Sequence, residues 1–174
     1  MRPYSERVNT AQSDLDYIES EYDLTIDLTS EADNVRVGNR TLTLTPRELF
    51  FYTLFAEARL REPAEGSIVV DQLSRDDFDR IFRKITRAHC DEVGIEECSS
   101  HESLSFLEEM IEQLHSSRAK DQTDFREKLL QTNSRINRKF KDAGLPERYM
   151  ITLRDARGTS CYGLSVAPLR IKFV

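Results

Sequence analysis

Long apolar runs are missing from this chain: no hydrophobic stretch approaches the roughly 20 residues that a membrane-spanning helix needs, which excludes such a span. Cysteine is scarce. Cys90, Cys98 and Cys161 are odd in number and widely spaced, so a disulfide framework is excluded and reduced thiols are expected. The opening residues MRPYSERVNTAQ hold no apolar stretch ahead of a small-residue cleavage site, so no signal peptide is expected and the expected location is the cytoplasm. Internal repeats and low-complexity tracts are also missing. What is present is ordinary for a globular chain: 174 residues, 39% hydrophobic and 32% charged, enough for one core of usual size. Positive charge is in deficit overall, with a net of −6, which argues against non-specific coating of DNA.

That deficit is unevenly distributed. Residues 131–174 hold nine Lys/Arg against three Asp/Glu, a local net of +6, which leaves −12 on residues 1–130. The last quarter therefore points toward a polyanion, and the segment SRINRKFKDAGL at 134–145 is its densest part.

Read along the chain, residues 1–22 are a polar leader or linker, and the domain proper is expected at 23–174. Short alternating segments at 24–28, 35–37 and 42–44, separated by turn-forming residues, predict a small antiparallel sheet. Thr45-Pro46-Arg47-Glu48 predicts a helix start, with Thr as N-cap, Pro at the first position and Glu closing a capping box, and the helix is expected to reach about Arg61. EPAEGS at 62–67 reads as a loop. Ser74-Arg75-Asp76-Asp77 and Ser99-Ser100-His101-Glu102 predict two more starts, and a fourth helix is expected over 121–142, stopped by Gly144 and Pro146. Period-two patterns then predict a hairpin and an edge segment. Phe51, Leu54, Phe55, Phe78, Ile81, Phe82, Leu129, Ile136, Phe140, Ile151 and Leu164 are expected in one core.

At about 100° per residue, Phe125, Leu129, Ile136 and Phe140 share one face of the fourth helix. Gln131, Arg135, Arg138, Lys139 and Asp142 fall on the opposite side, with Ser134 and Lys141 at its flank, and the hairpin after the helix adds Arg154 and Arg157. Lys139 is explained by the helix dipole alone, whereas the four arginines supply the fork-shaped donors suited to phosphate and guanine. Gln131, Ser134, Arg135, Arg138, Lys139, Arg154 and Arg157 are the seven candidate nucleic-acid contacts.

The element order resembles the winged-helix output domains of response regulators. The motifs that carry the resemblance are LTLTPRELF at a helix start after a strand platform, SRINRKFKDAGL as a helix with paired basics, and SCYGLSV as the last strand of a wing. It implies an α+β winged helix-turn-helix with an N-terminal β platform and a C-terminal β-hairpin wing. The long spacing between the first and fourth helices departs from that family, so a helical insertion around 90–120 is expected. YSERVNTAQ, DLTSEADNVRVGNRTLTLTPRELFFYTLFA, INRKFKDAGLPERYMI and YGLSVAPLRIKF together also look like the C-terminal part of a CRISPR-associated family. In that family an N-terminal CARF domain binds cyclic oligoadenylate, and its ring-nuclease members cleave it. The resemblance implies a non-enzymatic antiviral-defence module that meets DNA, RNA or a protein partner and is coupled to a CARF-type sensor. No strand-helix alternation with a Gly-rich phosphate turn precedes residue 24, so the second-messenger site is not carried over.

Other constellations have plainer explanations. His89, Cys90, Cys98 and His101 include an adjacent pair that does not aim easily at one ion, so neither a metal nor any cofactor is expected. Arg83 and His89 match the spacing of HEPN-type ribonucleases, in which the His acts as acid or base and the Arg steadies the phosphate; a basic helix end complementing the dipole is the preferred reading. Asp76, Asp77 and Asp79 come just after a cap, where acids stabilise a helix start. The amphipathic stretch 104–114 serves equally well as a homodimer surface or as its own core packing.

Overall fold

Leu24, Ile26, Val35 and Val37 are buried, while Thr25 is half-buried and Arg36 exposed; this is the alternation that a sheet with one wet face requires. The computed structural model describes residues 22–62, 66–93, 119–156 and 159–174. In it β1 (Leu24–Ile26), β2 (Val35–Val37) and β3 (Arg40–Leu42) form an antiparallel meander. The third strand lies two residues ahead of its expected position, although Leu42 and Leu44 are both buried. Asn34 stitches the meander to the chain just beyond β3: its side-chain amide donates to the Leu44 carbonyl at 2.8 Å, and its oxygen accepts from the Leu44 amide at 2.8 Å. A side chain here stands in for a peptide group.

Leu44 leads into α1 (Pro46–Arg61), whose capping box forms as expected: the Thr45 amide donates to Glu48 Oε2 at 2.8 Å and the Glu48 amide to Thr45 Oγ1 at 3.4 Å. Residues 48–56 are all buried, so α1 is covered on every side and organises the fold. α2 (Arg75–Val93) reaches it through Phe78, whose ring stacks on Phe50 at 5.5 Å and meets Phe51 edge-on at 6.3 Å. Ser74 and Asp77 hold the start of α2 by reciprocal bonds, and Asp79 pairs with Arg75 at 3.6 Å, so these acids are used locally. Burial penalises the Asp77 carboxylate, but its bonds to Ser74 and Arg80 outweigh this and hold its pKa below the ordinary range. Phe82 departs from expectation. It is 38% exposed, because α2 seats a narrow stripe of Phe78, Ile81 and Ile85 against α1 and Phe82 falls on the flank.

α3 (Ala119–Asp142) packs on another side of α1, with the Phe140 ring 4.8 Å from Tyr52 and Phe125 meeting Phe78 at 5.9 Å. It ends where Gly144 adopts φ +66°: the Leu145 amide donates to the Phe140 carbonyl at 2.9 Å and the Gly144 amide to that of Lys141 at 2.9 Å. This is the left-handed stop that Gly permits and a Cβ opposes. β5 (Thr152–Ala156) and β6 (Thr159–Gly163) then form the expected hairpin. Two pairings could not be read from local pattern. β4 (Ser67–Val69) joins β6, giving an antiparallel sheet of order β4-β6-β5, and β7 (Ile171–Phe173) lies parallel to β1, making a mixed sheet of order β3-β2-β1-β7. At the β4–β6 junction a Cβ on Gly163 would sit 2.5 Å from the Gly66 carbonyl oxygen, so only glycine lets the strands approach this closely.

The fold among the described residues is α+β, with three α-helices and two small sheets. No helix among them is long and apolar enough to cross a membrane. The leader through residue 21, the 104–114 stretch, and most of the 90–120 insertion lie outside the described residues.

Candidate nucleic-acid interface

α3 carries the site, and its two faces differ as the spacing dictates. Phe125, Leu129, Ile136 and Phe140 are buried, while Gln131, Ser134, Arg135 and Arg138 are exposed. Residues 131, 135 and 138 have i, i+4, i+7 spacing, and 134 lies one turn before 138, so the four form one exposed patch.

Their states differ. The Arg135 side chain has no hydrogen bond or ion pair among the described residues. Arg138 meets Asp142 at 3.8 Å, and since the two side chains are 84% and 71% exposed the pair is easily exchanged for another anion. The Ser134 hydroxyl donates to the Leu130 carbonyl of its own helix at 2.9 Å. Lys139 turns inward: its Nζ donates to Glu48 Oε2 at 2.6 Å and to the Thr43 carbonyl at 2.9 Å, tying α3 to the capping box of α1. Burial pushes the Glu48 pKa up, yet the bond from Lys139 and those from Thr45 outweigh it and keep the carboxyl below its ordinary value.

In the hairpin, Arg154 Nη2 donates to the Leu164 carbonyl at 2.6 Å and to Ser165 Oγ at 2.7 Å, so this guanidinium braces the end of the hairpin as it stands. Arg157 lies outside the described residues. Of the seven candidates, then, the structure gathers Gln131, Ser134, Arg135 and Arg138 in one patch and engages Lys139 and Arg154 in the scaffold.

Several residues that position this patch are silent in the sequence. Asn137, on α3, donates from Nδ2 to the Ile151 carbonyl at 2.7 Å and accepts from the Ile151 amide at 2.8 Å, which fixes the root of the hairpin against the helix. Arg40 reaches from β3 to the Ala143 and Gly144 carbonyls at 2.8 and 2.7 Å, covering oxygens that the end of α3 leaves unsatisfied. Tyr52 donates to the Tyr149 carbonyl at 2.8 Å, and burial, with Tyr149 adding, pushes its hydroxyl pKa well above the usual value. Asn signals turns and local bonds when read in sequence; nothing in the residues around 137 announces a partner fourteen positions on.

Arg83 stands exposed on α2 and lines a separate groove to which no described α3 side chain contributes. His89 lies on the same helix; its side chain, like those of Cys90, Cys98 and His101, is outside the described residues. Among the described residues no group of three His, Cys, Asp or Glu converges as a metal site would.

No family model matches the chain, and no curated protein or solved structure matches it either.

Proposed function

We propose that this chain is a winged-helix module that binds duplex DNA, with α3 laid against the major groove and the β5–β6 hairpin as its wing. One observation carries the reading: α3 buries an aromatic-aliphatic stripe and presents Gln131, Ser134, Arg135 and Arg138 together on the opposite face, beside a hairpin fixed to it by Asn137. A B-form major groove admits an α-helix, and the deep, narrow major groove of A-form RNA does not. Arg135 is placed for a base edge or a phosphate, and Arg138 exchanges Asp142 for a phosphate. Lys139 and Arg154 hold the helix and the wing in place. The module is non-enzymatic in this reading, and the resemblance to CARF-family C-terminal domains adds a sensor as the input that it would couple to DNA.

The test is fluorescence anisotropy of the full chain on a labelled DNA duplex, on duplex RNA and on single-stranded RNA. Binding to the DNA duplex that is lost with Arg135→Glu/Arg138→Glu, at unchanged melting temperature, is the expected result. Equal binding by that variant, or no binding at low salt, refutes the reading.

A further inference from the structure

An open groove of about 610 Å³ runs between α2 and β7, away from the α3 patch. Its floor is apolar, with Leu28, Ala88 and Phe173, and one wall is the basic side of α2. Among its described side chains, the acids of that wall lie at its start: Asp76 and Asp79, the latter paired with Arg75 at 3.6 Å. Further along come four cations. Arg80 bonds Asp77 at 3.0 Å through Nη2 and keeps a buried Nε without a partner. Lys84 pairs with Glu57 of α1 and lies 3.7 Å above the centre of the Phe173 ring. Arg83 and Arg87 are exposed and have no partner among the described residues. The groove thus holds two guanidiniums one helical turn apart that no described residue compensates, above an apolar floor.

The other wall is a sheet edge. β7 has β1 on one side and no strand among the described residues on the other. The Val174 amide donates to the Ile26 carbonyl and the Leu28 amide to the Val174 carbonyl, so position 174 points toward β1. Alternation in a parallel ladder then directs the Phe173 N–H and C=O outward. Such an edge is a template for an added strand, and Lys172 in the middle of β7 is engaged by Asp23 on the β1 side.

We propose that this groove docks an extended, acidic segment of a partner protein, which adds as a strand to β7 and sets carboxylates on Arg83 and Arg87. The dimensions agree. Same-side residues of an extended chain repeat every ~6.6–6.8 Å, and side chains four apart on a helix are ~5–6 Å apart at their roots. Backbone bonds to the edge would supply affinity, and the two arginines would supply the preference for acid. The residue pair that resembles a nuclease motif in sequence thereby contributes its Arg83 to a docking surface.

The probe is a fluorescein-labelled hexapeptide of alternating Glu and Val, whose carboxylates share one side when extended, compared with its Gln-Val counterpart. Anisotropy with the full chain should show binding to the Glu peptide that weakens about tenfold or more in Arg83→Glu/Arg87→Glu, and in the neutral Arg83→Ser/Arg87→Ser should the first variant fold poorly. Amide exchange at Phe173 should slow in the complex. Equal binding of the Gln-Val peptide, insensitivity to both variants, or an unchanged Phe173 amide would overturn the proposal. So would single-stranded RNA that displaces the peptide and depends on the same arginines, since the groove would then serve nucleic acid.

Discussion

Lys139 and Glu48 meet across 91 positions of sequence, and their bond joins the helix proposed to meet DNA to the start of the helix that organises the fold. Glu48 has a lowered folded pKa, so its contribution to stability is present above its ordinary 4.5 and is lost as pH falls through the folded value. Lys139→Met removes the counter-charge and leaves only the bonds from Thr45 to oppose the effect of burial on that carboxyl. The variant should lose about 1–3 kcal/mol at neutral pH, toward the lower end because Lys139 is partly exposed, and close on the wild type as pH falls through the folded value. Chemical denaturation at neutral and acid pH measures this, and a penalty that does not shrink in acid contradicts the assignment. Asn133 is the opposite case. It sits on the core side of α3, 4% exposed, with neither Nδ2 nor Oδ1 bonded. Replacing an unsatisfied buried amide with a similar apolar volume should stabilise, so Asn133→Leu is expected to raise the unfolding free energy by on the order of 1 kcal/mol. A loss of stability would mean that the amide has a role.

Between elements, the hairpin depends on α3 through Asn137, which replaces two backbone partners of Ile151. Asn137→Asp keeps the shape but removes the donor and turns an oxygen toward the Ile151 carbonyl. A loss of about 1–3 kcal/mol is expected, with faster amide exchange over β5 and β6 than over β1 and β2; uniform exchange would show that the hairpin is held otherwise. Phe55, fully buried on α1, should cost about 3–5 kcal/mol as Ala, read by the same denaturation. Much of this level is legible in sequence because it is local. Thr45 and Glu48 announce a helix start, Gly144 announces a stop, and the period of Phe125, Leu129, Ile136 and Phe140 sets the buried face of α3. Phe82 escapes the pattern because apolar spacing gives the direction of a stripe but not the width that a neighbour will cover. The β4–β6 and β1–β7 pairings, and the bonds of Asn34, Arg40, Asn137 and Lys139, join positions whose proximity only the folded chain creates.

At the scale of the molecule, charge decides which account of α3 holds. Residues 131–174 carry nine Lys/Arg against three Asp/Glu within a chain of net −6, so attraction to DNA must come from one face and be opposed by the rest. Part of the basic count is already engaged, since Lys139, Arg154, Arg170 and Lys172 bond within the protein. The most direct measurement is therefore the salt dependence of duplex binding by the full chain. Each phosphate neutralised contributes about −0.9 to the slope of log K against log salt concentration. If Arg135 and Arg138 each neutralise one, Arg135→Glu/Arg138→Glu should make the slope shallower by about two units while the melting temperature holds. A slope that stays unchanged in this variant, or wild-type binding that does not respond to salt, would contradict the claim that α3 faces DNA.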